Sequence, residues 1–447
     1  MRQSTQNKLG LWTSTSLVIG NMIGAGVFLM PAALAGYGGI SLFGWLFSAI
    51  GAFFLAKVFS NLSKLLPGIS GGPYAYTHAA FGDFAGFVIA WGYWISVWCS
   101  NAALAVSFVG GLSSCFKGLQ QNPPLEIATG LSAIWLLTWV NSLGIKATGN
   151  TQLILTILKL LPLLFVALGG IFFIHFSNFI PFNISGTSNL QAITATGALT
   201  FFAFLGVECA TIPAGNVINP QKTIPRATIL GTVITTIVYI LVTVVVMGMI
   251  PAVQLQNSAT PLADAAAVIG GEKAKYFVGA GVALAAFGAL NGWILVQGQI
   301  PNAIAKDKLF PGVFKKENKN GMPAMGIAIG SILASVLMYM NYNNSLVKQY
   351  TFLSLISTLT SLVPYLFCAA AYAIIAVAKK QLSTRKWPAA IALASISFVF
   401  SLWSIIGAPQ DVVYWGFILL MSGVPFYVWI IYKKSKDGAA IKEVDTP

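Results

Sequence analysis

Charged residues are scarce in this sequence. Asp, Glu, Lys and Arg together make up 8% of its 447 residues, whereas hydrophobic residues make up 57%. Soluble domains carry about 25% charged residues, so the composition excludes an ordinary soluble protein. Because the apolar residues fall into runs of helix length, the sequence predicts an all-α polytopic membrane protein.

Cysteine and histidine are also rare. The four cysteines are scattered along the chain, three of them in apolar runs: Cys99, Cys115, Cys209 and Cys368. Scattered cysteines fit neither a disulfide framework nor a metal site, and His78 and His175 are the only histidines. We therefore expect no metal centre and no cofactor.

Motifs of other function classes are missing as well. The sequence has no phosphate-binding Gly-rich loop ending in Lys-Ser/Thr and no His-Glu-x-x-His, so an enzyme is not indicated. A channel would need repeated pore-lining segments or charged rings. The net charge of +14 does not indicate a nucleic-acid partner, because such a partner requires a basic face on a soluble domain. The expected partners are a small molecule and membrane lipid.

Twelve apolar segments have a length near the ~20 residues that a bilayer requires. They lie at 12–33, 40–60, 84–109, 125–143, 150–174, 192–212, 227–250, 276–303, 324–341, 349–377, 387–407 and 412–432. The first is not followed by a small-residue cleavage site, so we expect it to stay as a span rather than act as a signal peptide. With the N-terminus inside, 20 of the 25 Lys and Arg residues lie on the cytoplasmic side. This bias predicts an inner-membrane protein with both termini cytoplasmic.

The first segment contains three glycines within seven residues, at positions 20, 24 and 26. Glycine weakens a helix by roughly 1 kcal/mol per site, and irregular backbone at membrane depth occurs only where it is buried in protein or lines a cavity. A helix broken at 24–26 would offer free N–H groups to a carboxylate. Alternatively, the glycines only allow close helix packing.

The sixth segment is interrupted in a corresponding place. Gly206 and Glu208 lie in the middle of this otherwise apolar run, five segments after the first interruption. Paired interruptions in two halves are typical of an inverted repeat with a binding site at the midplane. We predict repeats at 12–175 and 192–378, two further helices at 387–432, and cytoplasmic ends at 1–11 and 433–447.

Two ionisable side chains lie deep in predicted spans. Burial favours the neutral form of Glu208, so this acid is a candidate for loading and releasing a proton; the alternative is a structural acid that stays protonated or paired. Lys159 in the fifth span is a candidate for the place where other transporters hold a sodium ion, if it lies near the first interruption. Its alternative is snorkelling towards the surface.

Three further side chains suit a cavity wall inside the membrane. Trp293 is flanked by small and polar residues, and Asn101 and Ser357 offer an amide and a hydroxyl. A tryptophan ring can stack on an alkyl chain or a cationic group. Taken singly, each polar residue is more often a helix–helix hydrogen bond. The stretches 67–76 and 219–226 are predicted as cytoplasmic connections rich in turn formers.

Several motifs together resemble the amino acid–polyamine–organocation (APC) superfamily. They are NMIGAGVF at 21–28, SGGPYAY at 70–76, FLGVE at 204–208, Asn219-Pro220 with Pro225, and Gly292-Trp293. The chain is most similar to the basic amino acid/polyamine antiporters, among them the bacterial arginine/agmatine antiporters. The resemblance covers nearly the whole chain. It implies twelve transmembrane helices, a five-plus-five inverted repeat with discontinuous helices 1 and 6, alternating access, and a homodimer.

The resemblance also implies roles for individual residues. The backbone at Ile23, Gly24, Ala25 and Gly26 would hold the substrate carboxylate, and that near Phe204 and Leu205 would receive the amino group. Other positions match contacts to the substrate side chain or gates. The matched side-chain contacts are Trp293, Asn101 and Ser357, and the matched gates are Glu208, Tyr93 and Tyr365.

The sequence departs from the arginine/agmatine pattern at five positions. Phe202 replaces a tryptophan gate, Ser96 and Val97 replace the small pair that contacts the guanidinium, and Ala25 replaces a serine. Lys159 is similar instead to the fifth-span lysine of proton-coupled or sodium-independent transporters in the same superfamily. The expected function is exchange of a cationic amino acid and its decarboxylated amine. The alternatives are proton-coupled uptake and a transport-inactive amino acid sensor.

Overall fold

The structure is a computed structural model that describes residues 9–436 apart from 68, 70, 117, 120, 121, 144–148, 213, 215, 216, 342 and 378–381. Of the cytoplasmic ends predicted at 1–11 and 433–447, residues 1–8 and 437–447 lie outside the described residues. Seventeen α-helices make up the described part. They are α1 Leu11–Met22, α2 Ala25–Phe28, α3 Met30–Ala35, α4 Ser41–Leu65, α5 Pro73–Phe81, α6 Asp83–Ser113, α7 Pro123–Ser142, α8 Gly149–Gly169, α9 Asn189–Phe201, α10 Pro220–Met249, α11 Ala252–Leu255, α12 Pro261–Lys306, α13 Ala324–Met340, α14 Leu346–Val377, α15 Trp387–Ile406, α16 Gln410–Met421 and α17 Gly423–Lys436.

Nine helical segments within the described residues are long and apolar enough to cross a membrane. The chain is therefore a multi-pass helical membrane protein. Three of the twelve predicted spans fall outside this set. The first is divided among α1, α2 and α3, the fourth is α7, and the ninth is α13, which has only 17 residues. The count of twelve spans and the inverted repeat stay predictions.

The first segment is interrupted between α1 and α2. Ile23 (φ −75°, ψ 83°) and Gly24 (φ −129°, ψ −126°) leave the helical conformation, and Gly26 already belongs to α2. A Cβ atom on Gly24 would lie 3.1 Å from Leu104 Cδ2 and 3.2 Å from Ala289 Cβ. The predicted interruption is present, beginning at Ile23 rather than at Gly24. Both interpretations of the glycines apply, because Gly24 leaves the helix and also lets α6 and α12 approach closely.

The sixth segment is interrupted between two short 3-10 turns. Helix α9 continues into a 3-10 turn at Phe202–Phe204, Leu205 is extended (ψ 132°), and a second 3-10 turn spans Cys209–Thr211. Gly206 has φ +105°, a conformation that favours glycine. The predicted interruption is thus present around Leu205 and Gly206.

The two interruptions touch each other. A Cβ atom on Gly206 would lie 3.2 Å from Asn21 Cβ and 3.3 Å from the Asn21 carbonyl carbon. Outside the bundle a second contact joins the same two segments, because Ile218 N–H donates to Leu9 O at 2.9 Å beside an isolated parallel bridge between Leu9 and Val217. The first and sixth segments are therefore held together at their middle and at one end.

Long helices pack around these interrupted segments. Helix α1 lies against α8 and α10, while α6 packs along α12 and α14. Helix α12 begins at Pro261, earlier than the predicted 276, and bends at Gly270 and Gly271, where the backbone is not helical. This arrangement brings five long helices to the interruptions.

Both stretches predicted as connections rich in turn formers include helix, at 73–76 in the first and at 220–226 in the second. Pro73 starts α5 and Pro220 starts α10, because proline is well suited to the first turn of a helix. The Tyr74 hydroxyl in α5 donates to Asp307 Oδ2 at 2.7 Å, just after α12 ends. Burial and this carboxylate raise the pKa of Tyr74, so the hydroxyl remains a donor.

We expect Gly206→Ala to destabilise the protein. A side chain at this position meets Asn21 and requires an unfavourable φ, which costs about 1–3 kcal/mol. Thermal unfolding of the detergent-purified protein measures the effect. Gly312→Ala is the matched control, because a Cβ atom there has nothing within 4 Å. Equal melting temperatures for the two variants would contradict the crowding at Gly206.

Candidate functional site

The last three carbonyl groups of α1 each accept a hydrogen bond from a different helix. Lys159 Nζ in α8 donates to Gly20 O at 3.0 Å, Trp293 Nε1 in α12 donates to Asn21 O at 3.3 Å, and the Tyr239 hydroxyl in α10 donates to Met22 O at 2.5 Å. A helix end buried inside the membrane needs such partners, because no water reaches its free carbonyl groups. The interruption of the first segment is therefore fixed by side chains.

Lys159 is buried, with 5% of its surface exposed, and lies close to the first interruption. Its Cε would be 3.4 Å from a Cβ atom on Gly288, so the side chain runs between α1 and α12. It therefore turns inward to a carbonyl group instead of snorkelling to the surface. Of the two alternatives that the sequence left open, the side chain thus lies beside the interrupted part of the first segment, and its function stays a prediction.

Trp293 lies at the same interruption. Its ring is 5% exposed, and the neighbouring Gly292 has its Cβ position 3.6 Å from Asn21 Oδ1. The small residue before the tryptophan thus lets α12 come close to α1. Ile23 and Gly24 follow the carbonyl group that Trp293 contacts after one intervening residue. Ala25 and Gly26 are the first two residues of α2.

Glu208 follows the second interruption and is completely buried. The Tyr93 hydroxyl of α6 donates to its Oε1 at 2.5 Å, and the Tyr365 hydroxyl of α14 donates to its Oε2. The acid therefore links the sixth segment to two long helices. Each carboxylate oxygen accepts one of these bonds and keeps a second lone pair, so a proton added to Glu208 would weaken the two tyrosine hydrogen bonds without displacing either.

Asn101 belongs to a buried amide network that the sequence analysis did not foresee. Gln297 Nε2 donates to the Ile327 carbonyl at 2.9 Å and to Ser331 Oγ at 2.8 Å. Its Oε1 must then face Asn101, whose Nδ2 donates to it at 2.7 Å. Asn101 Oδ1 is consequently turned away from this network, and it has no hydrogen-bond partner within the described residues.

The serines predicted to lie near the substrate take part in hydrogen bonds where α6 and α14 meet. Ser357 Oγ donates to the Ser96 carbonyl at 2.8 Å and lies 2.6 Å from Ser100 Oγ, while Ser96 Oγ donates to the Tyr93 carbonyl at 2.7 Å. Val97 is buried beside them. The structure thus places these residues at one helix–helix contact, which leads along α6 from Asn101 to Tyr93.

The three apolar residues of the second interruption are buried. Phe202 packs edge-on against Tyr350, with ring centroids 5.9 Å apart, and Phe204 packs in the same way against Trp45. Leu205 is 6% exposed at the start of the extended backbone. The packing fixes the backbone on one side of Gly206.

Two residues of this region were missed from the sequence. Gln297 lies four residues after Trp293, one helical turn along the same face of α12, and this spacing is a signal that would have found it. Tyr239 had no such signal, because it is one of several aromatic residues in an apolar run. Within the part of the chain that the structure describes, no group of three or more His, Cys, Asp or Glu side chains is placed to hold a metal ion.

Comparison with known proteins assigns the family. The sequence model described as "Amino acid permease" matches residues 9–431. The chain belongs to the amino acid permease family. The resemblance to the basic amino acid/polyamine antiporters of the APC superfamily is thereby confirmed. Relatives that carry such names support the same assignment.

Three relatives illustrate this amino acid permease assignment. The cadaverine/lysine antiporter of Escherichia coli is 35% identical over 339 residues, which cover 75% of each chain. The putrescine transporter of Haemophilus influenzae is 30% identical over 429 residues, covering 96% of this chain and 98% of that protein. The arginine/ornithine antiporter of Pseudomonas aeruginosa is 30% identical over 421 residues, covering 90% and 86%. All three are named as transporters, not as enzymes.

We expect Tyr239→Phe to destabilise this permease. The substitution removes the hydroxyl donor to Met22 O, and a lost buried hydrogen bond costs about 1 kcal/mol. Thermal unfolding measures the change. Tyr350→Phe is the matched control, because the Tyr350 hydroxyl is buried without a partner among the described residues, so its removal should leave stability unchanged or raise it. A stability loss in the control alone would contradict this assignment.

Proposed function

We propose that the chain exchanges a cationic amino acid for its decarboxylated amine across the inner membrane by alternating access. The observation that carries this proposal is the contact between the two interrupted segments at Asn21 and Gly206, with Trp293 hydrogen-bonded to the same backbone. Irregular backbone from two helices at one point is the usual construction of a midplane site in secondary transporters. The names of the relatives support exchange of amino acids and amines.

The substrate would lie with its backbone end between the interruptions. N–H groups at Ala25 and Gly26 would bind its carboxylate beside Gly24, whose own N–H donates to Met22 O at 2.8 Å. Carbonyl groups near Phe204 and Leu205 would accept from its amino group. An amine product lacks the carboxylate, so it would rely on the remaining contacts. This difference allows one site to hold both members of an exchange pair.

The side chain of the substrate would extend along Trp293 towards Asn101. Because Gln297 occupies the Asn101 amide nitrogen, the free group at this position is an acceptor oxygen. A buried acceptor favours a ligand that brings N–H donors, and leaving it unpaired costs about 1–3 kcal/mol. The Trp293 ring would add a cation–π contribution. Both features favour an ammonium-bearing substrate. Ser96, Val97 and Ser357 would border this end of the site.

A second candidate function is proton-coupled uptake. It is favoured by Lys159, whose ammonium group donates to Gly20 O at the interruption, where a bound cation would otherwise contact the carbonyl. Loss of a proton from Lys159 would weaken that contact and loosen the end of α1. Exchange requires a substrate on the opposite side of the membrane, whereas proton-coupled uptake requires a pH gradient. The two functions can therefore be separated by experiment.

Glu208 would act as the proton-sensitive gate in either case. Its two carboxylate oxygens accept from Tyr93 of α6 and Tyr365 of α14, so protonation would weaken the contact of both long helices with the sixth segment. Opening of the site would then be linked to pH. Phe202 would close the site from the other side, beside Tyr350.

We also propose the arrangement in the membrane that the sequence predicts. It has twelve spans in five-plus-five inverted repeats, cytoplasmic termini and a homodimer. The one-sided distribution of Lys and Arg supports the orientation. Rocking of one helix group about the two interruptions would expose the site to each side in turn.

Purified protein in liposomes tests the exchange. We expect uptake of radiolabelled lysine to be at least about tenfold faster when the liposomes contain cadaverine, lysine or putrescine than when they are empty, because an exchanger returns only with a passenger. Norleucine, which has the same carbon chain as lysine without its terminal amine, should compete at least about tenfold more weakly because it leaves Asn101 unpaired.

Other results would favour the alternatives. Uptake into empty liposomes driven by a pH gradient alone would replace exchange by proton-coupled uptake. Binding of lysine without flux under any condition would indicate a transport-inactive sensor. Equal competition by norleucine would contradict the proposed role of Asn101.

We expect Glu208→Gln to flatten the pH dependence of flux. Glutamine keeps the size of the side chain and one acceptor oxygen, but it does not titrate in the physiological range. Initial rates across the mildly acidic to neutral range measure the profile. Glu317→Gln is the control, because Glu317 lies near the surface beside Lys306 and away from the interruptions. An unaltered pH profile in Glu208→Gln would remove this acid from the gate.

A further inference from the structure

A cleft with a volume of about 550 Å³ lies between α4, α14 and α15, away from the interrupted segments. It is located where α4 and α14 end and α15 begins, at one end of the helix bundle. Its lining combines apolar and basic side chains. The lining residues that carry the argument are Phe53, Phe54, Lys57, Lys64, Lys386 and Leu393.

The basic side chains of the cleft come from two walls. Lys57 and Lys64 lie two helical turns apart on the same face of α4, and Lys386 directly precedes α15 on the opposite wall. None of these three lysines takes part in an ion pair within the described residues, and no carboxylate lines the cleft. The cleft therefore carries a local excess of positive charge without an internal counter-ion.

Polar groups below the lysines are also directed at the cleft. Asn61 lies between Lys57 and Lys64, and its Nδ2 donates to the Tyr372 hydroxyl at 3.0 Å. Tyr372 is 4% exposed and lines the cleft, and its hydroxyl accepts this bond, which leaves its own proton available as a donor. Ala389 and Ala390 of the first turn of the 20-residue α15 also line the cleft.

The apolar part of the cleft distinguishes a lipid from a soluble anion. Phe53 and Phe54 of α4 face Leu393 of α15 across the cleft, at depths where the helices are otherwise apolar. A phosphate group would meet the lysines and the start of α15, while an acyl chain would lie along these side chains. A soluble anion would leave the apolar wall uncovered.

We propose that this cleft binds an anionic phospholipid, with the phosphate held by Lys57, Lys64 and Lys386. Basic clefts between membrane helices at the cytoplasmic face suit acidic head groups. The same orientation that follows from the Lys and Arg distribution puts this end of the bundle in the cytoplasmic leaflet. A lipid bound here joins α4 and α14 to α15. Since α14 also carries Ser357 and Tyr365, the lipid tunes the mobility of a gate helix.

Stabilisation by lipid tests this site directly and does not depend on transport. The purified protein is titrated with phosphatidylglycerol in detergent, and thermal unfolding is followed, with phosphatidylethanolamine as the zwitterionic comparison. We expect stabilisation by phosphatidylglycerol alone. The triple variant Lys57→Gln, Lys64→Gln, Lys386→Gln should require about 100-fold more phosphatidylglycerol for the same shift, since each of the three lysines contributes a factor of about five near a membrane surface.

A matched variant separates the cleft from general charge. Lys315→Gln, Lys316→Gln, Lys319→Gln removes the same number of charges from an exposed loop and should keep the full response. Arginine at the three cleft positions should also keep it, which guards against a variant that merely folds poorly. Equal loss in the cleft and loop variants would overturn the proposal. An equal shift with inorganic phosphate would overturn the assignment to a lipid.

Discussion

The structure depends on how the carbonyl groups at the end of α1 are satisfied. Three consecutive carbonyls, those of Gly20, Asn21 and Met22, are released where the helix stops inside an apolar bundle. Each receives a donor from a separate long helix. Without these donors the carbonyl groups of Gly20 and Asn21 would be unpaired in a region of low dielectric, at a cost of several kcal/mol, whereas Met22 O also accepts from the Gly24 N–H at 2.8 Å. An interruption at this position would then be energetically unfavourable.

This arrangement explains why an ammonium group, an indole and a phenol meet at one point. They do not form a catalytic group, because each is engaged with backbone rather than with another side chain. What they determine is the position of Ile23 and Gly24, the backbone that the proposed function uses for the substrate. The second interruption is held differently, because the side chain of Glu208 accepts hydrogen bonds from two tyrosines there.

The sequence indicated the two interruptions and the approach of Lys159 to the first, because glycines and isolated charges are conspicuous in apolar segments. It did not indicate which side chains would complete the backbone hydrogen bonds. Tyr239 and Gln297 come from helices far away in the chain, and their partners are set by helix packing that local patterns do not encode. The helices that begin within 67–76 and 219–226 were not predicted for a related reason. Proline is common in turns, but it is also common in the first turn of a helix.

The bridge between Leu9 and Val217 connects the chain just before the first interrupted segment to the chain just after the sixth. Their other contact, at Asn21 and Gly206, lies deep in the bundle. The two segments thus contact each other at their middle and near one end. In the proposed function, a displacement of the sixth segment would be transmitted through both contacts to the start of α1. Leu9 would then move together with the chain that follows the sixth segment.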